Sequence, residues 1–162
     1  MTTTQLDVEG LAVTTTPGPT TTLFVCTSCA STWEKGQRVG TSGGTRLLAA
    51  LQEKYDQLPE EQRRLLTIQP TPCMSACSHA CAVSFSAPGK HQYLFGDLPH
   101  EGEAADTVCD AVFECAALYG SKADGMMGWS DRPEPLKRGV IARMPPVPQN
   151  LLQTLRRDST DS

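Results

Sequence analysis

Short apolar runs along the chain indicate where its strands lie. Residues 23–25 form an apolar run that ends at Cys26, and residues 65–68 form a second run of the same kind. Residues 82–86 alternate between apolar and polar side chains, and residues 91–95 return after an Ala-Pro-Gly turn, which is typical of a hairpin. The pattern therefore predicts four strands, the last two of them as an antiparallel pair.

Two segments carry the helical period instead. Residues 45–57 place Leu47, Leu51 and Tyr55 along one stripe, and residues 103–119 carry a longer apolar face. The order is then strand, helix, strand, cysteine-rich loop, hairpin and helix. This order predicts an α/β protein of the thioredoxin-like class, with a mixed four-stranded sheet and helices packed on it.

Composition divides the chain into three parts. Residues 1–20 are rich in Thr and Pro and predict a disordered tail, whereas residues 21–120 hold all the periodic segments. Residues 121–162 turn to Gly, Pro and charge, and they predict an extended C-terminal arm whose last dozen residues form a short amphipathic turn. Met127 and Trp129 in this arm are expected to pack back on the sheet, the alternative being a contact with a partner.

Charge and hydropathy exclude several functions. The net charge of −4 argues against a nucleic-acid binder, because such a protein needs a basic surface. No apolar run reaches the roughly 18 residues that a membrane span requires, and the first residues lack the pattern of a secretory signal. We therefore expect a cytoplasmic protein with no membrane and no nucleic acid among its partners.

The cysteines are the strongest chemical signal in the sequence. Cys26 and Cys29 follow the first strand, Cys73 and Cys77 follow the second, and Cys81 comes four residues later. Neighbouring strands lie about 5 Å apart, so two such loops at one edge of a sheet can present four thiolates to one centre. Four thiolates suit either a [2Fe–2S] cluster or a structural zinc ion.

The remaining cysteines have a simpler interpretation. Cys109 and Cys115 lie on the last predicted helix, where free cysteine commonly packs as a small apolar side chain. No set of residues points to catalysis by spacing, so the sequence gives no positive reason to expect an enzyme.

Several stretches in order resemble a known family. The segments LFVCTSC, GTRLLAAL, CMSACSHACAVSFSAPGKHQYLFGDL and DGMMGWSDRPEPLKRGVIARMPP, within residues 22–146, resemble a bacterial family of predicted metal-binding proteins of unknown function. That family is similar to thioredoxin-like [2Fe–2S] ferredoxins and is associated with cobalamin metabolism. The resemblance implies a [2Fe–2S] cluster held by Cys26, Cys73 and Cys77, with Cys29 as the fourth ligand and Cys81 as its substitute.

The resulting hypothesis is a [2Fe–2S] ferredoxin that transfers single electrons to a redox partner protein and, by analogy with those ferredoxins, forms a homodimer. A zinc- or cobalt-handling protein related to cobalamin is the first alternative, because thiolates suit these metals too. A thiol–disulfide oxidoreductase is the second, although glycines separate the Cys-x-x-Cys pair from the first helix.

Overall fold

The computed structural model describes residues 20–148 and residue 150, which form one mixed sheet, a separate small hairpin and three α-helices. In chain order the elements are β1 (Thr21–Cys26), β2 (Thr32–Glu34), β3 (Gln37–Val39), α1 (Gly43–Gln57), α2 (Glu60–Arg64), β4 (Leu66–Thr71), β5 (Val83–Ser86), β6 (Gln92–Phe95), α3 (Gly102–Ser121) and β7 (Val140–Met144). Short 3₁₀ turns occupy Cys77–His79 and Glu134–Leu136. The predicted tail at residues 1–19 and the amphipathic turn near the C-terminus lie outside the described residues.

The sheet has the strand order β4-β1-β5-β6-β7. β1 and β4 run parallel, because α1 carries the chain from one back to the start of the other, and β5, β6 and β7 each run antiparallel to their neighbour. A βαβ unit followed by a hairpin and a helix, with the first strand inside the sheet between β4 and β5, is the thioredoxin-like arrangement. The predicted fold class is confirmed.

One face of the sheet carries the core. Alternate residues of a strand point to opposite faces, so Leu23 and Val25 of β1 are buried completely while Phe24 between them is only half-buried. α1 and α3 pack against each other on the buried face, α1 through Leu47 and Leu51. Burial of each such side chain stabilises the fold by roughly 1.5–3 kcal/mol.

The predicted four-stranded sheet is corrected to a five-stranded one, because β7 adds an edge strand beside β6. Val140, Ile141 and Met144 of β7 are each more than a third exposed, so no buried side marks this strand in the sequence. β7 lies within residues 121–162, so part of this segment belongs to the sheet. Met127 from the same segment is buried in the core, as predicted, whereas Trp129 is 62% exposed.

The loop after β1 also contains structure that the sequence pattern does not show. β2 and β3 form a hairpin whose turn residues Lys35 and Gly36 both have positive φ. That conformation is typical of the turns that join two short antiparallel strands. Almost all of its residues are exposed, so no hydrophobic alternation reveals the hairpin.

Candidate metal centre

Two loops that carry cysteines, one after β1 and one between β4 and β5, meet at one edge of the sheet. Cys26 is the last residue of β1 and pairs in register with Thr71, the last residue of β4. The Thr27 amide donates to the Thr71 carbonyl at 2.9 Å, which holds the two loops side by side. On the other flank of β1 the Cys26 amide donates to the carbonyl of Ala82, at 3.1 Å, directly after Cys81.

Cys26, Cys29 and Cys81 form a buried group at this edge, with exposed fractions of 1%, 1% and 0%. The backbone of Cys81 is held by Leu98, since the two residues exchange hydrogen bonds of 3.2 and 3.3 Å. We call these three residues the buried thiol group.

Interactions within this group shift the acidity of its members in opposite directions. Burial raises the pKa of the Cys26 thiol, but hydrogen bonds from the Cys29 thiol, the Ser28 side chain and the Met74 backbone outweigh burial and lower that pKa overall. Burial, together with the same contact to Cys26, raises the pKa of Cys29 to about 12. Burial and the neighbouring Cys26 raise the pKa of Cys81 to about 11. Cys26 is thus the member of the group most readily ionised.

Cys73 approaches the buried thiol group from the exposed side. The Ser75 amide donates to Cys73 Sγ at 3.3 Å. This hydrogen bond and one from the Ser28 side chain lower the pKa of Cys73, and the charge of nearby Cys26 opposes the effect. Ser28 Oγ also lies 3.7 Å from Cys26 Sγ. Ser28 therefore contacts both thiols, a role that the sequence did not indicate.

Cys77 begins the 3₁₀ turn four residues after Cys73 and is exposed. In the described part of the chain its thiol makes no hydrogen bond to another cysteine. His79 in the same turn is half-exposed and pairs with Asp97 at 3.0 Å. Of the five cysteines predicted as ligands, Cys29, Cys73 and Cys81 each interact with Cys26, whereas Cys77 lies exposed in its turn.

The cysteine thiols at this edge are suitable ligands for a thiolate-bound metal centre. The distances between them, however, do not form a complete coordination site. All seven cysteines are free thiols. Within residues 20–148 and residue 150, however, no three Cys, His, Asp or Glu side chains lie close enough to hold a metal ion. Closing a four-thiolate site would require the exposed loop with Cys73 and Cys77 to move toward Cys26. The ligand set therefore stays a prediction.

Two glycines at the start of α1 shape the first cysteine loop. A Cβ on Gly44 would overlap the carbonyl oxygen of Cys26. The amides of Gly43 and Gly44 donate to the carbonyls of Ala30 and Cys29 at 3.1 and 2.9 Å. The first amides of α1 thus hold the backbone of the cysteine loop and do not point at a thiolate. Ser42 is the N-cap of α1, and its Oγ accepts from the Thr45 amide.

Cys109 and Cys115 lie in the core on α3, as expected for structural cysteines. Both are completely buried. Burial raises the pKa of Cys109 to about 11 and that of Cys115 to about 12. Cys115 Sγ donates to Met127 Sδ at 3.6 Å, so its contacts are internal.

Fold and site together define a thioredoxin-like protein with a cluster of free cysteines at the carboxyl end of its two parallel strands. The chain belongs to DUF1636, a family of proteins of unknown function, which it matches over residues 23–146. This match confirms the resemblance inferred from the sequence over nearly the same residues. It gives no information on cobalamin, so that association stays a prediction.

Among solved structures the chain is similar to a thioredoxin-like [2Fe–2S] ferredoxin from Aquifex aeolicus. The two share 23% identity, the match covers 76% of this chain and 92% of that chain, and the TM-score is 0.46. No curated protein matches the chain. In the described residues no helix has the length and apolar character to cross a membrane.

Proposed function

We propose that this protein binds a metal centre through cysteine thiolates at the carboxyl end of β1 and β4, and that the centre is a [2Fe–2S] cluster used for one-electron transfer to a redox partner protein. The observation that carries the proposal is the position of Cys26. It interacts with Cys29 in the loop after β1 and with Cys73 and Cys81, which lie near the two ends of the loop between β4 and β5, and all are free thiols. Clustered free thiols of this kind suit zinc and iron–sulfur centres.

The proposed ligands are Cys26, Cys29, Cys73 and Cys77, with Cys81 as the substitute for the fourth. Cys73 and Cys77 share one loop and are both exposed, while Ala76 between them is buried in the core. Of Cys77 and Cys81, Cys81 is the better placed for contact with Cys26. Its backbone amide and carbonyl, however, are both hydrogen-bonded to Leu98. A cluster, when bound, would supply the electron that is transferred.

The protein's own groups favour ionised sulfur at two of these positions. The Met74 backbone and the Ser28 side chain act on Cys26, and the Ser75 amide acts on Cys73. Metal ligands must be deprotonated, so each of these hydrogen bonds favours the ligating form of the thiol. Hydrogen bonds to cluster sulfur also raise a reduction potential. Burial of Cys26 and Cys29 excludes water on one side, and the exposed Cys73 loop leaves the other side open to a partner.

The test is to purify the full chain without oxygen and to measure its visible absorption spectrum together with iron, zinc and acid-labile sulfide. A red-brown sample with about two irons and two sulfides per chain supports the [2Fe–2S] proposal. A colourless sample with about one zinc per chain supports the thiolate site but overturns the electron-transfer role. A sample with neither metal, even after reconstitution with iron and sulfide, overturns the site itself.

A second candidate function is thiol–disulfide exchange, and the contact between the Cys26 and Cys29 side chains favours it. Two thiols separated by two residues are the usual arrangement of a dithiol redox pair. The engagement of the first α1 amides with backbone carbonyls argues against it, because no helix end activates the first thiol. Metal-free protein that forms a reversible Cys26–Cys29 disulfide and reduces an insulin disulfide would favour this candidate over the metal centre.

A further inference from the structure

A cavity of about 340 Å³ lies at the end of the sheet opposite the thiols, between the first residues of β1 and β4 and the C-terminal half of α3. Its walls are mainly apolar and include Leu58, Leu65, Leu66 and Phe113. This volume is in the range of pockets that hold small molecules. Thr21 at its edge and Cys26 are the two ends of β1, so the cavity and the buried thiol group are separated by roughly 17 Å.

A buried lysine, Lys90, is among the residues that line this cavity. Lys90 is only 8% exposed. Its Nζ donates to the carbonyls of Gly120 and Tyr119, at 2.8 and 3.3 Å, and sits 5.4 Å from the centre of the Tyr119 ring. These contacts occupy two of the three N–H donors of the ammonium.

No carboxylate in the described part of the chain forms an ion pair with Lys90, and Asp124 acts on it from a longer distance. Lysine is almost never buried without a paired group, because removing an ammonium from water is unfavourable. The carbonyls at the C-terminal end of α3 and the face of the Tyr119 ring offset part of this charge, and an anion in the cavity would supply the full counter-charge that they lack.

The rim of the cavity exposes apolar side chains to water. Leu65 lines the cavity and is 57% exposed, one of the few large apolar side chains of the described residues left in water. Leu58 and Phe113 beside it are half-buried. A ligand that covered these side chains would remove apolar surface from water while its charged end reached Lys90.

We propose that this cavity, which we call the Lys90 cavity, binds a small amphipathic monocarboxylate with its carboxylate at Lys90 and its apolar chain along Leu58, Leu65 and Phe113. The proposal does not depend on the metal centre. A polar anion such as phosphate would bury none of the apolar wall. An uncharged apolar molecule would leave the ammonium without an anionic partner. The combination of one cation and an apolar wall therefore selects the amphipathic anion.

The test is calorimetric titration of the full-length protein with octanoate, and with octylammonium as a probe of the same chain length and opposite charge. We expect saturable binding of octanoate and binding of octylammonium that is about tenfold weaker or undetectable, since a hydrogen bond to a charged group is lost. Lys90→Met keeps the length of the side chain and removes its charge, and it should weaken octanoate binding about tenfold. Equal binding of the two probes, or an unchanged affinity in Lys90→Met, overturns the proposal.

A second pair of variants avoids any effect of Lys90 on folding. Ala117 lines the cavity from an exposed position on α3, so Ala117→Phe fills the cavity without touching the core. Ala104 is also exposed on α3 but lies outside the cavity, so Ala104→Phe adds the same volume as a matched control. Octanoate binding should be lost in the first variant and kept in the second. Binding that survives in Ala117→Phe, or an absence of saturable binding in the unmodified protein, overturns the proposal.

Discussion

Cys26 and Thr71 lie opposite each other at the ends of two parallel strands. Cys73 follows Thr71 by two residues, so the parallel pairing of β1 and β4 brings the two predicted cysteine loops to one edge of the sheet. Strand β5 enters at the same edge, with Val83 paired to Val25, and this places Cys81 in the same region. The registers of β1 with β4 and with β5 thus determine which thiols can meet.

The proposed ligand set predicts which cysteine variants lose bound metal. Cys26→Ser, Cys73→Ser and Cys77→Ser should each abolish or strongly reduce it, because removal of one of four thiolates leaves the centre incomplete. Cys109→Ser is the matched control, since Cys109 is equally a free cysteine but lies in the core on α3. Metal content per chain, measured after anaerobic purification, checks the series.

The same series decides between Cys77 and Cys81. We expect Cys81→Ser to keep the metal, because Cys81 is the substitute ligand in our proposal. Loss of metal in Cys81→Ser with retention in Cys77→Ser would assign the fourth thiolate to Cys81, which lies closer to Cys26. Retention in Cys73→Ser would contradict the site as a whole.

Two glycines in helices should respond to alanine with opposite signs. Helix propensity alone makes Gly→Ala stabilising by up to about 1 kcal/mol. At Gly120 a Cβ meets only Thr21 Oγ1, at an ordinary 3.5 Å, so Gly120→Ala should be stabilising. At Gly44 the Cβ overlaps the Cys26 carbonyl, so Gly44→Ala should destabilise the fold by about 1 kcal/mol or more, despite propensity.

Urea unfolding of the two variants measures this difference directly. A stabilised Gly44→Ala protein would show that the loop of Cys26 can shift at little cost. The close approach of Cys26 to α1 would then not be needed to position the thiols.

Stability should fall as the pH rises above the ordinary thiol pKa. Burial raises the pKa of Cys115 from 9.0 to about 12, so between these values the unfolded chain has released a proton that the folded chain still holds. The unfolded state then binds fewer protons, and the free energy of unfolding decreases with pH by about 1.4 kcal/mol per unit for this one group. Cys115→Ala should remove that contribution from the slope measured between pH 9 and 11.

Ala116→Gly serves as the control for this measurement. It lowers stability on the same helix without removing a titrating group, so its curve should be displaced at every pH with an unchanged slope. An equal slope for Cys115→Ala and the unmodified protein would show that Cys115 ionises in the folded state as readily as in the unfolded one.

The segment after α3 should contribute to stability through Met127 and not through Trp129. Met127 is buried, and the Tyr93 hydroxyl accepts from its amide at 3.0 Å. Met127→Ala should therefore destabilise the protein by about 2–5 kcal/mol. Trp129 is mostly exposed, with Lys137 Nζ 5.2 Å from its ring centre, and Trp129→Ala should cost about 1 kcal/mol or less. Thermal unfolding compares the two, and equal losses would contradict this placement of the segment.

The sequence by itself predicted the elements that have one buried side. β1, α1, the β5–β6 hairpin and α3 bury a stripe or a face, and burial imposes a period of two or of about 3.6 that can be read from the residues. The grouping of Cys26 with Cys73 followed from the same information, because the ends of neighbouring strands must lie close together.

Only the tertiary structure decided the exposed strands and the contacts between side chains from distant loops. β2, β3 and β7 are exposed strands, and their pairing is made by backbone hydrogen bonds that leave no hydrophobic period. The contact of Cys26 with Cys29 and Cys81 depends on loop paths, and the burial of Lys90 depends on α3 ending beside the β5–β6 turn. Such relationships join residues far apart in the chain, so the distances that matter arise from packing and not from spacing along the sequence.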